Sequence, residues 1–425
     1  MRARLNGLLA YALLALASPA FAQTADVQDL GHGIYRAAGV MGGTGVRVPQ
    51  SNTFMIVTRD GNVIVDTSIA AAAPAHKRAL TAINGGPIKA IVLTHAHGDH
   101  TGGVAQWKQP GTEIIAQRAH EEFMAYQLRL RGYFARSNVA QFGIGIGGIG
   151  GGGGGAVGAA AASPVPPTVL FEDRYSFELG GVRFDLLHTP GETPDHLTVW
   201  IPEFKAAFVG DNFYESFPNL YTLRGTETRK ALDYVESLNT VLALEPELVL
   251  PSHGPAIRGR DEIRRQLTRY RDAILYVHDA TVKGMNEGKS VLTLMREIHL
   301  PPALDVGESY GKLTWSVRGI YEGYGGWYDG PVSTLFGPAS QAYDEVVKLA
   351  GGPDAVAARA QQMVATDATR ALYLTDMALA VDARHRGALD ARLAALRWLD
   401  SHSTNSNERG WLAAGIRDAE ARLKP

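Results

Sequence analysis

Between Gln28 and Leu250 the apolar residues come in short runs: "NTFMIV" (Asn52 to Val57), "NVIVD" (Asn62 to Asp66), "KAIVL" (Lys89 to Leu93), "EIIA" (Glu113 to Ala116), "VRFDLL" (Val182 to Leu187), "LTVWI" (Leu197 to Ile201), "KAAFV" (Lys205 to Val209) and "ELVL" (Glu247 to Leu250). Runs this short, rich in β-branched residues and bounded by turn formers, predict strands. Tight turns join some of them and helical patterns join others, so the expected architecture is sheets covered by helices. After about Asn286 the strand signals stop. Leu389, Leu393, Leu396 and Leu399 then share one helical face, which predicts a separate all-α domain over 286–425 following an α/β domain over 23–285.

Two segments stand apart from this pattern. At the start, Arg2 and Arg4 precede an apolar run from Leu8 to about Leu16 and the small-residue "AFA" at Ala20 to Ala22. Residues 1–22 therefore read as a secretory signal peptide cut before Gln23. The run is too short to span a bilayer comfortably, and no other stretch has the apolar length of a membrane helix. The expectation is a periplasmic or secreted protein with no membrane span once the signal is removed. The second segment, Gly143 to Pro167, is dominated by glycine. It contains G-x-G-x-x-G-like spellings, but prolines follow where a dinucleotide fingerprint needs a helix. It reads as a loop or low-complexity insertion that could cover a pocket.

Composition narrows the chemistry. With 425 residues, 45% of them hydrophobic, the chain can build a large core and two domains. A formal net charge of -2 offers no basic field for phosphates, so no nucleic-acid partner is expected. There is no cysteine. Disulfides, thiolate metal ligands and a cysteine nucleophile are thereby excluded, and any metal must be held by nitrogen and oxygen.

The stretch "LTHAHGDHTGG", Leu93 to Gly103, gathers His95, His97, Asp99 and His100 within six residues, in a chain with 13 histidines. It follows a predicted strand, where a loop can turn side chains into a cleft. Four ligand-type groups so close cannot all bind one ion with good geometry. Split as His95 with His97 and Asp99 with His100, they can hold two ions roughly 3.5 to 4 Å apart. Glu192 in "HTPGETPDH", Asp211 in "VGDN" and His253 in "PSHGP" each stand where a later strand gives way to a loop, completing a seven-ligand set. Two cations sharing an oxygen lower the pKa of water towards about 7, so hydroxide is available without a protein nucleophile and hydrolysis follows naturally. His188 and His196 are expected to orient ligands by hydrogen bonds.

H-x-H-x-D-H, then T-P-G, G-D and S-H-G, resembles the metallo-β-lactamase superfamily over about Gln28 to His253. The resemblance implies an αβ/βα sandwich with a dinuclear site, usually two Zn2+, on the edge of the sheets, with Asp211 bridging and His253 completing the second metal. Most members have histidine where this chain has Glu192. The alkylsulfatase branch is similar here, with glutamate in a T-P-G-T-E-A-P segment. "NLYTLRG" (Asn219 to Gly225), "RDAILYVHDATVKGMNEG" (Arg271 to Gly288), "LPP" (Leu300 to Pro302) and "YGGWYDGP" (Tyr324 to Pro331) also resemble that branch, the last three its dimerisation domain. The branch usually has glutamate at Asp211 and histidine at Pro218, and the long alkylsulfatases carry a sterol-carrier-like domain for which there is no room before Pro425.

The resemblance implies a homodimeric hydrolase that releases sulfate and an alcohol from a small-molecule ester, with Asp99, Asn219 and Arg224 as catalytic residues and Asn219 and Arg224 binding substrate. A second reading keeps the fold and gives it a lactam, lactone or phosphoester. A third is a metal-bearing binding or assembly protein. Glu192 adds a negative charge that suits a sulfate monoanion better than a phosphate dianion. Nitrogen and oxygen ligands also suit manganese and iron. Tyr324, Trp327 and Tyr328 are expected to pack in a core or interface. His278, His299, His385 and His402 are expected to be structural or surface residues without partners.

Overall fold

The computed structural model describes residues 25–39, 50–142, 165–328 and 330–425. The expected signal peptide and most of the Gly-rich segment lie outside them. The first sheet takes its strands in sequence order: β1 (Val27–Gly31), β2 (Ile34–Ala37), β3 (Thr53–Thr58), β4 (Gly61–Val65), β5 (Ile88–Val92), β6 (Glu113–Gln117) and β7 (Val169–Phe171). It runs antiparallel from β1 to β4 and parallel from β4 to β7. The second sheet contains β8 (Arg174–Leu179), β9 (Val182–His188), β10 (Leu197–Ile201), β11 (Ala206–Gly210), β12 (Leu248–Pro251) and β13 (Ile257–Arg258), in the order 13-12-11-10-9-8.

The inner faces of the two sheets meet in one apolar layer: Phe54, Ile56, Val63, Val65 and Val92 pack with Phe184, Leu186, Val199, Ile201 and Phe208. Burying each such side chain contributes about 1.5–3 kcal/mol. Helix Ala73–Ile83 covers the first sheet through Leu80, beside Val104 and Trp107. Helices Ala231–Ala243 and Arg260–Asn286 cover the second through Tyr234, Leu238, Leu267 and Ile274. This is the expected αβ/βα sandwich followed by helices. All eight expected strands are present. Missed were β1 and β2, together with β7, β8 and β13: β7 and β13 are too short to show a period, whereas β8, "RYSFEL" on a sheet edge, carries the polar–apolar alternation of a half-buried strand and was overlooked.

Helical structure begins at Arg260, before the expected boundary, because the 27-residue helix that starts there belongs to the sandwich. After Val291–Glu297 and Leu313–Gly325, the C-terminal part stacks Tyr343–Leu349, Pro353–Met363, Ala368–Val381, Arg386–His402 and Ser406–Leu423. Leu389 and Leu396 are buried as their spacing required. Trp327 and Tyr324 are 72% and 60% exposed, so packing in this chain's own core does not account for them. Three of the four set-aside histidines do have partners: His278 with Asp279 and the Tyr324 hydroxyl, His385 with Asp354 and the Ala388 N–H it caps, His402 with the Trp398 carbonyl. Their acceptors and donors lie on neighbouring helical turns or helices, which spacing alone did not reveal.

His76, buried on helix Ala73–Ile83 with Nδ1 at 3.0 Å from the Thr53 hydroxyl, gives the fold a pH dependence. Burial pushes its pKa down to about 4. A histidine depressed in the folded state stabilises above its unfolded pKa of about 6.5, and that contribution is lost as pH falls towards 4. Urea unfolding at pH 7 and at pH 4 should show the wild type losing about 3 kcal/mol more than His76→Gln over this interval. Equal losses would exclude His76 as the cause.

Candidate metal centre

All seven candidate ligands lie past the C-terminal ends of strands, along one edge of the sandwich: His95, His97, Asp99 and His100 after β5, Glu192 after β9, Asp211 after β11 and His253 after β12. Asp66, immediately after β4, ties the two sheets together there. Its carboxylate accepts from the Thr94 N–H at 2.9 Å and hydroxyl at 2.8 Å, from Ser252 Oγ at 2.8 Å and from His100 Nδ1 at 2.7 Å. These bonds hold Asp66 at a positive φ of 55° that would otherwise be unfavourable. With Nδ1 donating to Asp66, the His100 ring presents Nε2 to the cleft.

His100 Nε2 lies 3.5 Å from both Asp99 Oδ2 and Asp211 Oδ2. His253 Nε2 lies 3.2 and 3.4 Å from the same two oxygens. His95 Nε2 faces His97 Nδ1 at 2.9 Å, and His97 Nδ1 is 3.6 Å from Glu192 Oε1. Two groups have donor atoms all within 4.8 Å of one another: His95, His100 and Asp211, and Asp99, His100 and His253. The division is thus less clean than expected from sequence, since His100 falls in both groups. Asp211 is in reach of His95 and His100 on one side and His253 on the other. His100 Nε2 and Asp211 Oδ1 are buried with no hydrogen-bond partner. Orphaned lone pairs converging on one place are the signature of a cation site, so these residues fit a metal centre.

Protonation divides the centre. Burial, then neighbouring cationic groups, hold His95 and His97 well below the usual histidine range, leaving both rings neutral. Burial opposes charge on His100 and His253 as well, but Asp211 leads the carboxylates that raise His100 well above its usual value and His253 to about 10. Against their own burial, Asp99 and Asp211 are pulled well below the carboxylate range, His100 acting most on the first and His253 on the second.

Glu192 is buried with Oε2 bonded to the Tyr234 hydroxyl at 2.7 Å and to Arg229 Nη1 at 2.5 Å, so only Oε1 is turned to His97. Burial raises this carboxyl to about 7 against the pull of Arg229. His196 is placed as an orienting residue: Nδ1 is 3.0 Å from the Thr189 carbonyl and Nε2 accepts from the Asp211 N–H at 3.1 Å. Both ring nitrogens are used, and burial lowers its pKa to about 4, which keeps the acceptor nitrogen unprotonated. Gly210 allows this contact, since its φ is 52° and a Cβ there would overlap His196 Nε2. His188 lies further out and bonds the Pro194 carbonyl at 2.8 Å.

Arg224, half-buried, brings Nη2 to 3.4 Å from His97 Nε2, and its Nε has no hydrogen-bond partner. Asn219 is buried, but its hydrogen bonds are indirect: its N–H donates to the Tyr214 hydroxyl and its carbonyl accepts from Arg229 at 2.8 Å. Sequence reasoning missed Asp66, Arg229, Tyr234 and Asn212, whose Oδ1 accepts the Glu192 N–H at 3.0 Å. Asp66 alone left a signal, as an acidic residue ending a strand beside the one that leads to the histidines.

Residues 46–253 match the family description "Metallo-beta-lactamase superfamily" and residues 292–421 match "Alkyl sulfatase dimerisation". The chain is 31% identical over 393 residues to a linear primary-alkylsulfatase of Pseudomonas sp., covering 87% of this chain and 74% of that protein. It is 27% identical to an alkyl/aryl-sulfatase of Saccharomyces cerevisiae over 64% of this chain, but spans only 46% of that relative. Its fold is similar to the solved stereoselective inverting sec-alkylsulfatase from Pseudomonas sp., with a TM-score of 0.83 at 24% identity, over 94% of this chain and 66% of that one.

Proposed function

Because the chain belongs to the metallo-β-lactamase superfamily, with the dimerisation module of alkylsulfatases, we propose that it is a metal-dependent hydrolase of sulfuric esters, yielding sulfate and an alcohol. The observation that carries this reading is the placement of Arg224 beside the cluster. His97 points Nδ1 at His95 and Glu192, so with Nδ1 as metal donor its proton sits on Nε2 and it cannot accept from Arg224. The guanidinium then keeps its donors for substrate, and its planar fork can grip two sulfate oxygens at once.

His95, His97, Glu192 and Asp211 would hold one cation, and Asp99, His100, His253 and Asp211 a second. Two zinc ions there would supply an acidic water and offset charge developing on the ester. The protein's own residues do the positioning: Asp66 orients His100, His196 fixes the Asp211 backbone and Asn212 fixes that of Glu192. Phe123, edge-on to His97 at 5.7 Å between ring centroids, also lines a cavity of about 370 Å3 with Pro190, Pro194 and Thr228. This is where we place the alcohol.

Assay against sulfate esters, phosphoesters, lactones and lactams tests the reading. Turnover should be highest on a sulfate ester. Arg224→Lys, retaining charge without the fork, should lose about 2 kcal/mol in kcat/KM on that ester at unchanged metal content. A wild-type value would remove Arg224 from substrate binding, and preference for a lactone would replace the sulfate reading.

The exposed apolar side chains Trp327, Val332, Leu335 and Phe336 lie within the matched dimerisation segment, and we assign them to a homodimer interface. Light scattering at micromolar concentration should give twice the chain mass, and Phe336→Asp should shift it towards monomer. A wild-type monomer would exclude this assembly.

A further inference from the structure

Arg224 sits in an irregular stretch, and its own N–H is bonded across the molecule. The acceptor is Gln141 Oε1, at 3.0 Å and 83 residues away in sequence, near the end of helix Arg131–Phe142. Gln141 is 1% exposed and both ends of its amide are bonded: Oε1 also accepts from Trp411 Nε1 at 3.3 Å, and Nε2 donates to Asn407 Oδ1 at 2.9 Å. Trp411 and Asn407 both belong to the last helix, Ser406–Leu423. That helix approaches so closely that a Cβ on Gly410 would overlap the Gln141 carbonyl.

The same helix start holds a second stretch facing the centre. Asn407 Nδ2 donates to the Tyr310 carbonyl at 2.9 Å, and Asn405 Nδ2 to the carbonyls of Glu308 at 2.7 Å and Gly311 at 3.2 Å. Tyr310 lies near enough that the charges of Glu192, Arg224 and Asp99 act on its hydroxyl. The buried glutamine at 141 thus joins the terminal helix to the Arg224 backbone: an apolar residue would fill the space at lower desolvation cost, but would leave the Arg224 N–H and Trp411 Nε1 without this acceptor and Asn407 Oδ1 without this donor.

We infer that Gln141, clamped by Asn407 of the terminal helix, is a positioning residue that sets the register of Arg224 against the metal centre. The helical part of the chain thereby helps shape the substrate site of the sandwich. The inference rests on the reading of Arg224 as the sulfate-binding group.

Kinetics of Gln141→Leu, Arg224→Lys and the double variant on a short alkyl sulfate test it, with inorganic sulfate as inhibitor. Gln141→Leu should lower kcat/KM about tenfold, chiefly through KM, and raise the inhibition constant of inorganic sulfate by a similar factor, with metal content unchanged. The double variant should be no worse than Arg224→Lys, because Gln141 acts through Arg224. Additive losses, or a silent Gln141→Leu beside a damaging Arg224→Lys, would overturn the positioning role while leaving Arg224 in place. A silent Arg224→Lys would instead remove the reading beneath it. Should Gln141→Leu prove insoluble, Asn407→Leu carries the same expectations, and Gly410→Ala, which displaces the terminal helix without removing a polar group, should raise KM in the same direction.

Discussion

Asp211→Ala is expected to abolish turnover, by at least about a thousandfold, and to lower bound metal at the same time. Asp211, like His100, is in reach of both halves of the centre: it groups with His95 and His100, and Oδ2 lies 3.4 Å from His253 Nε2. Water cannot replace it, because its charge also sets the protonation of its neighbours. In the metal-free chain Asp211 is the leading cause that raises His100 and His253. These histidines are charged near neutral pH, so loading metal must displace their protons, and uptake should weaken as pH falls.

His253 gains a proton partner on folding, so its contribution to stability is present below about pH 6.5 and is lost as pH rises towards 10. Removing Asp211 should shrink that alkaline loss and the protons released on loading. Elemental analysis, turnover, pH-stat titration and urea unfolding at neutral and alkaline pH check these four outcomes in the two proteins, and an alanine variant with full metal and wild-type rate would exclude Asp211 as a ligand.

The centre was legible in the sequence where chemistry and topology coincide. His95 to His100 crowd one turn, and Glu192, Asp211 and His253 each follow an apolar run, so strand ends alone were enough to gather them. The supports were not legible, because a support needs only one suitable atom from any direction. Asp66 is an ordinary strand-ending aspartate until Ser252, from 186 residues away, bonds it. Arg229 and Tyr234 lie in the approach to a helix and on its first turns, and nothing local marks them as the pair that holds Glu192. Among the strands lost to the reading, β8 was in fact legible: "RYSFEL" alternates polar with apolar residues as a half-buried sheet-edge strand does.

Glu192→Gln is the second large effect expected, and the buried ion pair makes it two effects in one. The amide oxygen of the variant could still accept from Tyr234, but Arg229, 5% exposed with Nε and Nη2 already unpartnered, would lose its counter-ion. Breaking a buried pair from one side costs about 3–5 kcal/mol. Stability should therefore fall together with metal content and activity, the latter by tenfold or more. A double variant separates the two roles: Glu192→Gln with Arg229→Met removes both charges, so the unfolding midpoint should recover while metal content and turnover stay low. Recovery of both would mean that Glu192 serves only to neutralise Arg229. His196→Gln is expected to do less damage than Glu192→Gln, because His196 spends both nitrogens on the backbone of Thr189 and Asp211 and none on the cleft. The opposite ranking would make His196 the ligand, and would require its ring to give up the Asp211 N–H that it now holds.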